Sequence, residues 1–109
     1  MSQSKKITHD DIVYELCEDN KTAKVLGHQN TTIDTIIFPR SIVIDSNEYI
    51  VTGICKNAFD SYNIESVEFA PDSQVRIIED CAFQTSKIQE LKIPPHLTYI
   101  GERAFYYCS

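Results

Sequence analysis

Cysteine and histidine side chains are the first groups to consider in this sequence as nucleophiles or metal ligands. They belong to Cys17, Cys55, Cys81, Cys108, His9, His28 and His96. The cysteines are far apart and form no C-x-x-C pair, the spacing typical of zinc sites and thioredoxin-like sites. The histidines show no i,i+4 pairing, so we predict exposed polar residues, with neither a metal site nor a bound cofactor.

A thiolate activated by a histidine would make the chain a cysteine-dependent enzyme, because the two side chains need only be close in space. The cysteines, however, fall at positions of a repeating pattern where side chains pack or where the chain turns. Carboxylates are numerous, but nothing singles out a pair for acid–base catalysis. We therefore predict no catalytic residues and no enzyme, and the cysteine-dependent enzyme remains as an alternative of a different class.

The length and the net charge of the chain further limit the class of protein that it can be. A chain of 109 residues suits one domain with one modest core. The formal charge of −6 argues against a nucleic-acid partner, because no cluster of basic residues is available to neutralise phosphates. No apolar stretch is long enough to span a bilayer, and none follows Lys5 and Lys6 as a secretory signal requires. A cytoplasmic location with free thiols is the default expectation.

The strongest signal is an internal repeat. An Ala-Phe pair recurs at Ala58-Phe59, Ala82-Phe83 and Ala104-Phe105, at intervals of 24 and 22 residues. An isoleucine stands four residues before each of these alanines. A second phrase places three apolar residues at constant spacing: Ile33, Ile36 and Phe38, then Ile64, Val67 and Phe69, then Ile88, Leu91 and Ile93. Repetition at such a period indicates a stack of similar coils.

Each phrase has a physical interpretation. The second phrase alternates apolar and polar residues, as in Val67-Glu68-Phe69, and this alternation predicts a short strand. The Ala-Phe pair and the isoleucine before it form the first phrase, in which Ala and Phe stand four and five residues after Ile. This spacing suits about one turn of α or 3₁₀ helix with one apolar face. One such coil cannot bury its apolar stripe alone. Stacking buries it, and we predict that Phe59, Phe83 and Phe105 lie in a row.

The last unit, IPPHLTYIGERAFYYCS, closely resembles the BspA-like type of leucine-rich repeat, which reads L-x-x-I-x-I-P-x-x-[VL]-T-x-I-G-x-x-A-F-x-x-C. The matching residues are Leu91, Ile93, Pro94, Leu97, Thr98, Ile100, Gly101, Ala104, Phe105 and Cys108. The earlier units depart from the pattern, with Glu79 and Cys55 at the place of the glycine. The resemblance implies a leucine-rich-repeat solenoid from a family of surface antigens and adhesins. It also implies a cell-surface location, or unconventional secretion, as an alternative to the cytoplasm.

The predicted fold is thus a short α/β repeat solenoid, with β-strands on one face and helical or 3₁₀ turns on the other. Residues 1–32 are expected to form an N-terminal tail and a β-hairpin cap, with residues 1–8 disordered and two strands within 12–26. Residues 33–109 are expected to form about three repeat units, the last incomplete. A hairpin insertion is predicted near residues 41–52, with its tip at Asp45-Ser46-Asn47.

Two surfaces are predicted to bind proteins. Alternation points six residues of the strand phrases outward, in two columns: Thr35, Ile37, Ser66, Glu68, Glu90 and Lys92. A merely solvated sheet face is the competing interpretation. The second surface is the apolar edge of the last unit, formed by Ile93, Leu97, Ile100, Phe105, Tyr106 and Tyr107. Another copy would cover this edge in a homo-oligomer, unless the chain is a piece of a longer array.

These features together predict a non-enzymatic protein-interaction module that associates with itself through its last repeat. The resemblance implies a second function, a surface antigen or adhesin that binds a host-cell or matrix protein.

Overall fold

The computed structural model describes residues 5–30, 33–86 and 88–105 of the 109-residue chain. Within these ranges the secondary structure consists of β-strands and turns, with no helix. The strands are β1 Lys5–His9, β2 Ile12–Leu16, β3 Thr22–His28, β4 Thr35–Phe38, β5 Ser41–Ile44, β6 Asn47–Ile54, β7 Ser66–Phe69, β8 Ile77–Ile78, β9 Glu90–Leu91 and β10 Tyr99–Ile100.

The strands form two sheets. Sheet A has the order β1-β2-β3-β6-β8-β10, with β5 also paired to β6, and sheet B has the order β4-β7-β9. Strands β3, β6, β8 and β10 are parallel to one another, and so are β4, β7 and β9. From β4 onward the chain passes back and forth between the sheets: β4 in sheet B is followed by the β5–β6 hairpin in sheet A, and each later coil gives one strand to sheet B and the next to sheet A. Both faces of the stack therefore carry strands.

The Ala-Phe phrase forms tight turns, and the prediction of a helical or 3₁₀ segment there is wrong. The N–H of Ala58 donates to the carbonyl of Cys55 at 3.2 Å, and the N–H of Tyr62 donates to Phe59 at 3.2 Å. The third residue of each such turn has a positive φ of 58–66°, a value that a right-handed helix excludes: Asn57, Ser61, Cys81, Thr85 and Arg103. A short strand followed by two tight turns thus gives the same spacing of Ile, Ala and Phe as the predicted helical turn would.

These turns are held by the neighbouring coil. The N–H of Phe59 donates to Ala82 O, and the N–H of Phe83 donates to Ala104 O, each at 2.7 Å. In a helix these N–H groups would bond within their own coil. Bonding between coils satisfies them instead and keeps adjacent turns in register.

The core runs along the stack. The rings of Phe59 and Phe83 lie 5.3 Å apart and within 7° of parallel, and those of Phe83 and Phe105 lie 5.3 Å apart and within 4°. Phe38 contacts Phe59 at a centroid distance of 5.6 Å. The predicted row of phenylalanines is therefore confirmed, and it forms the spine between the two sheets.

The N-terminal segment is an antiparallel meander of β1, β2 and β3. Residues 5–8 belong to β1, so the disorder predicted for residues 1–8 is wrong for that part; residues 1–4 lie outside the described ranges. In the β2–β3 turn the Asp19 carboxylate accepts hydrogen bonds from the N–H groups of Lys21 (2.8 Å) and Thr22 (2.9 Å). These bonds lower the pKa of Asp19.

Strand β3 pairs in parallel with β6, so the second strand of the β2–β3 hairpin is also the first parallel strand of sheet A. Strands β5 and β6 form the second hairpin, around Asp45 and Ser46, with Ser41 opposite Ile50. The capping role of residues 1–32 and the boundary at residue 33 stay predictions.

Candidate protein-binding surfaces

The six residues predicted to bind a partner lie along sheet B, and we call them the outer columns. One column contains Thr35, Ser66 and Glu90, and the other contains Ile37, Glu68 and Lys92. The parallel register of β4, β7 and β9 brings the members of each column side by side. Lys92 follows β9, and its N–H donates to Val67 O at 3.1 Å, which extends the ladder by one residue.

The chemistry of the outer columns is mixed. The Lys92 ammonium lies 3.1 Å from Glu68 Oε1, so two of the three charges largely neutralise each other. An exposed pair of this kind contributes only about 0–1 kcal/mol to stability. Ile37 is 60 % exposed and is the large apolar group of the columns. The surface can offer a partner one apolar contact flanked by hydrogen-bonding groups.

The last described coil presents a more apolar surface, which we call the terminal edge. Ile93 is 56 % and Ile100 is 46 % exposed, whereas Leu97 and Phe105 are half-buried. Tyr106 and Tyr107, also predicted for this edge, lie outside the described residues. In the sheets formed by the described residues, β9 and β10 each pair on one side only.

Sequence reasoning missed an apolar pair on sheet A. Ile77 of β8 lies opposite Tyr99 of β10, and both side chains are exposed. The sequence did contain a signal for this pair, because Ile77 and Tyr99 each stand directly before the repeat isoleucine of their unit, Ile78 or Ile100. Alternation along a strand points such a neighbour away from the core. Tyr99 adds aromatic surface next to the terminal edge.

The cysteines of the described ranges, Cys17, Cys55 and Cys81, are free and half-buried. Burial, together with the carboxylates of Glu79 and Glu15, raises the pKa of Cys55 to about 11. A thiol with such a pKa keeps its proton at neutral pH, which is the reverse of what a nucleophile needs. Cys108 lies outside the described ranges.

We expect Cys55 to react slowly with iodoacetamide in the native protein. A pKa about two pH units above the usual value lowers the thiolate fraction roughly 100-fold near neutral pH. Because the folded thiol holds its proton to higher pH than the unfolded one, its stabilising contribution is intact below about pH 9 and is lost toward pH 11. Peptide mass spectrometry of native and denatured samples measures both rates. Equal rates in the two samples would contradict this assignment.

The histidines do not converge. Asn30 N–H donates to His28 Nδ1 at 2.9 Å, His9 Nε2 lies 3.6 Å from Asp10 Oδ2, and His96 is exposed. Over residues 5–30, 33–86 and 88–105, no three His, Cys, Asp or Glu side chains are grouped to hold a metal ion. None of the described segments forms a helix long and apolar enough to cross a membrane.

Parallel strands stacked at a repeat of about two dozen residues, with a shared apolar spine, define a leucine-rich-repeat solenoid. The BspA type leucine-rich repeat region matches residues 17–109 in six copies. The chain belongs to the BspA type leucine-rich repeat family. Proteins of this family are generally non-enzymatic interaction modules, so protein partners are the class that the fold suggests.

Solved structures agree with this fold. A leucine-rich repeat protein from Bacteroides capillosus ATCC 29799 is 27 % identical and superposes with a TM-score of 0.78, over 89 % of this chain and 71 % of that chain. A leucine-rich repeat protein from Bacteroides ovatus ATCC 8483 gives 21 % identity and a TM-score of 0.76, over 94 % of this chain and 33 % of that chain. No curated protein matches the sequence.

The pneumococcal vaccine antigen PcpA shares the fold at 20 % identity and a TM-score of 0.58, over 93 % of this chain and 35 % of that chain. The chain thus spans about a third of the length of the Bacteroides ovatus protein and of PcpA.

Proposed function

We propose that this chain is a non-enzymatic protein-interaction module that associates with itself through the terminal edge. The observation that carries the proposal is the exposure of Ile93 and Ile100 beside strands that pair on one side only in the described sheets. Exposed apolar groups next to unpaired strand edges favour association, since burial removes apolar surface from water and pairs the backbone groups.

A two-fold axis at the terminal edge would bring β10 of each copy together as antiparallel neighbours. The same patch then faces itself, which closes the assembly as a dimer. The outer columns run across sheet B from β4 to β9, so Glu90 and Lys92 lie next to this contact, whereas Thr35 and Ile37 on β4 are two strands away from it. The outer columns form the second protein-binding surface of the proposal, with Ile37 as its apolar contact.

Light scattering coupled to size exclusion tests the self-association. The wild-type chain should have the mass of two or more copies, and Ile93→Glu should weaken association at least about tenfold, because an unpaired charge buried in an interface costs several kcal/mol. Ile37→Glu is the matched control, since that isoleucine is equally exposed but lies on β4. Circular dichroism verifies that both variants fold. A wild-type mass of one chain at the highest soluble concentration would contradict self-association.

A surface antigen or adhesin that binds a host-cell or matrix protein is the second candidate. The shared fold with the pneumococcal vaccine antigen PcpA favours it. Antibody staining of intact cells, compared with permeabilised cells, tests the location that this function requires. Staining confined to permeabilised cells would reject the adhesin.

A further inference from the structure

A cavity of about 210 Å³ opens between the β1–β2 turn and the connection from β4 to β5. Four of its lining residues are apolar and four are polar: Ile12, Ile37, Pro39 and Ile42, with His9, Asp10, Tyr14 and Ser41. Sites for small molecules usually measure about 300–1,000 Å³. The cavity is therefore sized for a single side chain of a partner.

Tyr14 gives the cavity a buried polar group. Its side chain is 1 % exposed and lines the cavity. Burial, with a contribution from the Asp10 carboxylate, raises the pKa of Tyr14, so the phenol stays protonated. A protonated phenol can both donate a hydrogen bond to a ligand group in the cavity and accept one from it.

Asp10 places a negative charge at the mouth of the cavity. Asp10 and Asp11 form a two-residue turn with φ values of 49° and 68°, the positive values of a type I′ hairpin turn. The Asp10 side chain is 92 % exposed, and Asp11, the next residue of the turn, is exposed as well. The contact of Asp10 within the cavity lining is His9, whose Nε2 lies 3.6 Å from Asp10 Oδ2, while Arg40, directly after the lining residue Pro39, lies 3.9 and 3.7 Å from two other carboxylates.

Apolar walls with an acidic mouth complement a side chain that has an apolar stem and a cationic end. Lysine and arginine have this construction, and both place their stems along apolar surface while the charge stays near water. Arginine also stacks on aromatic rings such as that of Tyr14. The charge of −6 on the whole chain favours the approach of a basic partner.

The free side of β4 explains how such a side chain would be delivered. Asp34 O and Phe38 O accept bonds from Ser66 and Ala70 on the β7 side, each at 3.0 Å. Peptide groups alternate in direction along a strand, so those of Thr35 and Ile37 face the opposite side. Among the described strands none pairs there. An extended segment can add to such an edge through main-chain hydrogen bonds while one side chain enters a pocket.

We propose that an extended segment of a partner protein adds to the free edge of β4 and inserts a lysine or arginine side chain into the cavity beside Tyr14 and Asp10. The inference rests on the proposed role in protein binding, but it uses a surface remote from the terminal edge.

Nuclear magnetic resonance titration of the full chain tests the proposal. The probe is the peptide acetyl-Thr-Val-Arg-Val-Thr-amide, compared with versions that carry norleucine or glutamate in place of arginine. The arginine peptide should shift the amide signals of Thr35, Ile37 and Ile42 and bind at least threefold more tightly than the norleucine peptide. Asp10→Asn should weaken the arginine peptide roughly twofold to fivefold, the range of an exposed ion pair, and leave the norleucine peptide unchanged.

Asp45→Asn is the matched control, because Asp45 holds the same place in the two-residue turn between β5 and β6, with φ 51°, and does not line the cavity. It should bind every peptide as the wild type does. Equal binding of the three peptides, or no binding of any, overturns the inference, and the mass measurement then judges self-association separately. Shifts confined to Ser66, Glu68 and Lys92 overturn the cavity as the site but support protein binding by the outer columns.

Discussion

Replacement of Phe83 by alanine is expected to lower the free energy of unfolding by about 3–5 kcal/mol, the cost of removing a buried phenylalanine without refilling its space. Phe83 is fully buried, with a ring stacked on each side at 5.3 Å. A domain of this size is stabilised by only about 5–15 kcal/mol in total. Because a repeat array is stable through contacts between neighbouring coils, the loss should also uncouple the last coil from the stack.

Urea unfolding followed by circular dichroism measures this change. Phe105→Ala is the matched control, because its ring is only half-buried and has one stacked partner among the described rings. It should cost clearly less than Phe83→Ala. If the two variants lost equal stability, the row of rings would not be the spine of the fold.

Gly101→Ala is expected to destabilise the chain by about 1–3 kcal/mol, the range for an extra group forced into a packed site. A Cβ at Gly101 would overlap the backbone nitrogen and the carboxylate Oδ1 of Asp80, and it would lie 2.6 Å from Glu79 C. The Asp80 carboxylate is also held in place, since it accepts a hydrogen bond from Glu102 N–H at 2.9 Å. Backbone atoms cannot move aside as a flexible side chain can, so the two coils must separate.

Gly53→Ala is the control for Gly101→Ala. A Cβ at Gly53 meets nothing closer than Ile77 O at 3.4 Å, which is an ordinary contact. Thermal unfolding should show a midpoint lower by several degrees for Gly101→Ala, at about 4–8 °C per kcal/mol for a small domain, and little change for Gly53→Ala. Equal midpoints in the two variants would show that the space around Gly101 is not limiting.

The contrast between Gly101 and its counterparts shows where sequence reasoning stops. Cys55 and Glu79 occupy the same place in the earlier units, so the repeat alone does not reveal that a side chain is excluded in the last one. The exclusion comes from Asp80, a residue of the preceding coil. The positive φ of Cys81 and Arg103 is equally hidden, because neither residue type favours that conformation.

The cavity beside Tyr14 also could not be predicted from the sequence. Its walls come from the β1–β2 turn, which joins two strands of sheet A, and from the β4–β5 connection, which is far along the chain and joins sheet B to sheet A. The outer columns, in contrast, follow from alternation along β4, β7 and β9, which needs no tertiary information.

The amino-acid pattern by itself determined the repeat, the row of phenylalanines and the outward residues of sheet B, because apolar spacing specifies which side chains must be buried together. The tertiary structure decided that the Ile-Ala-Phe phrase forms strands and turns. Strands β8 and β10 have only two residues each and exist because each pairs with the coil before it, as in the bond from Gly101 N–H to Ile78 O at 2.6 Å. A spacing of four and five fits a helical turn or a strand with tight turns, and hydrogen bonds between coils select the second.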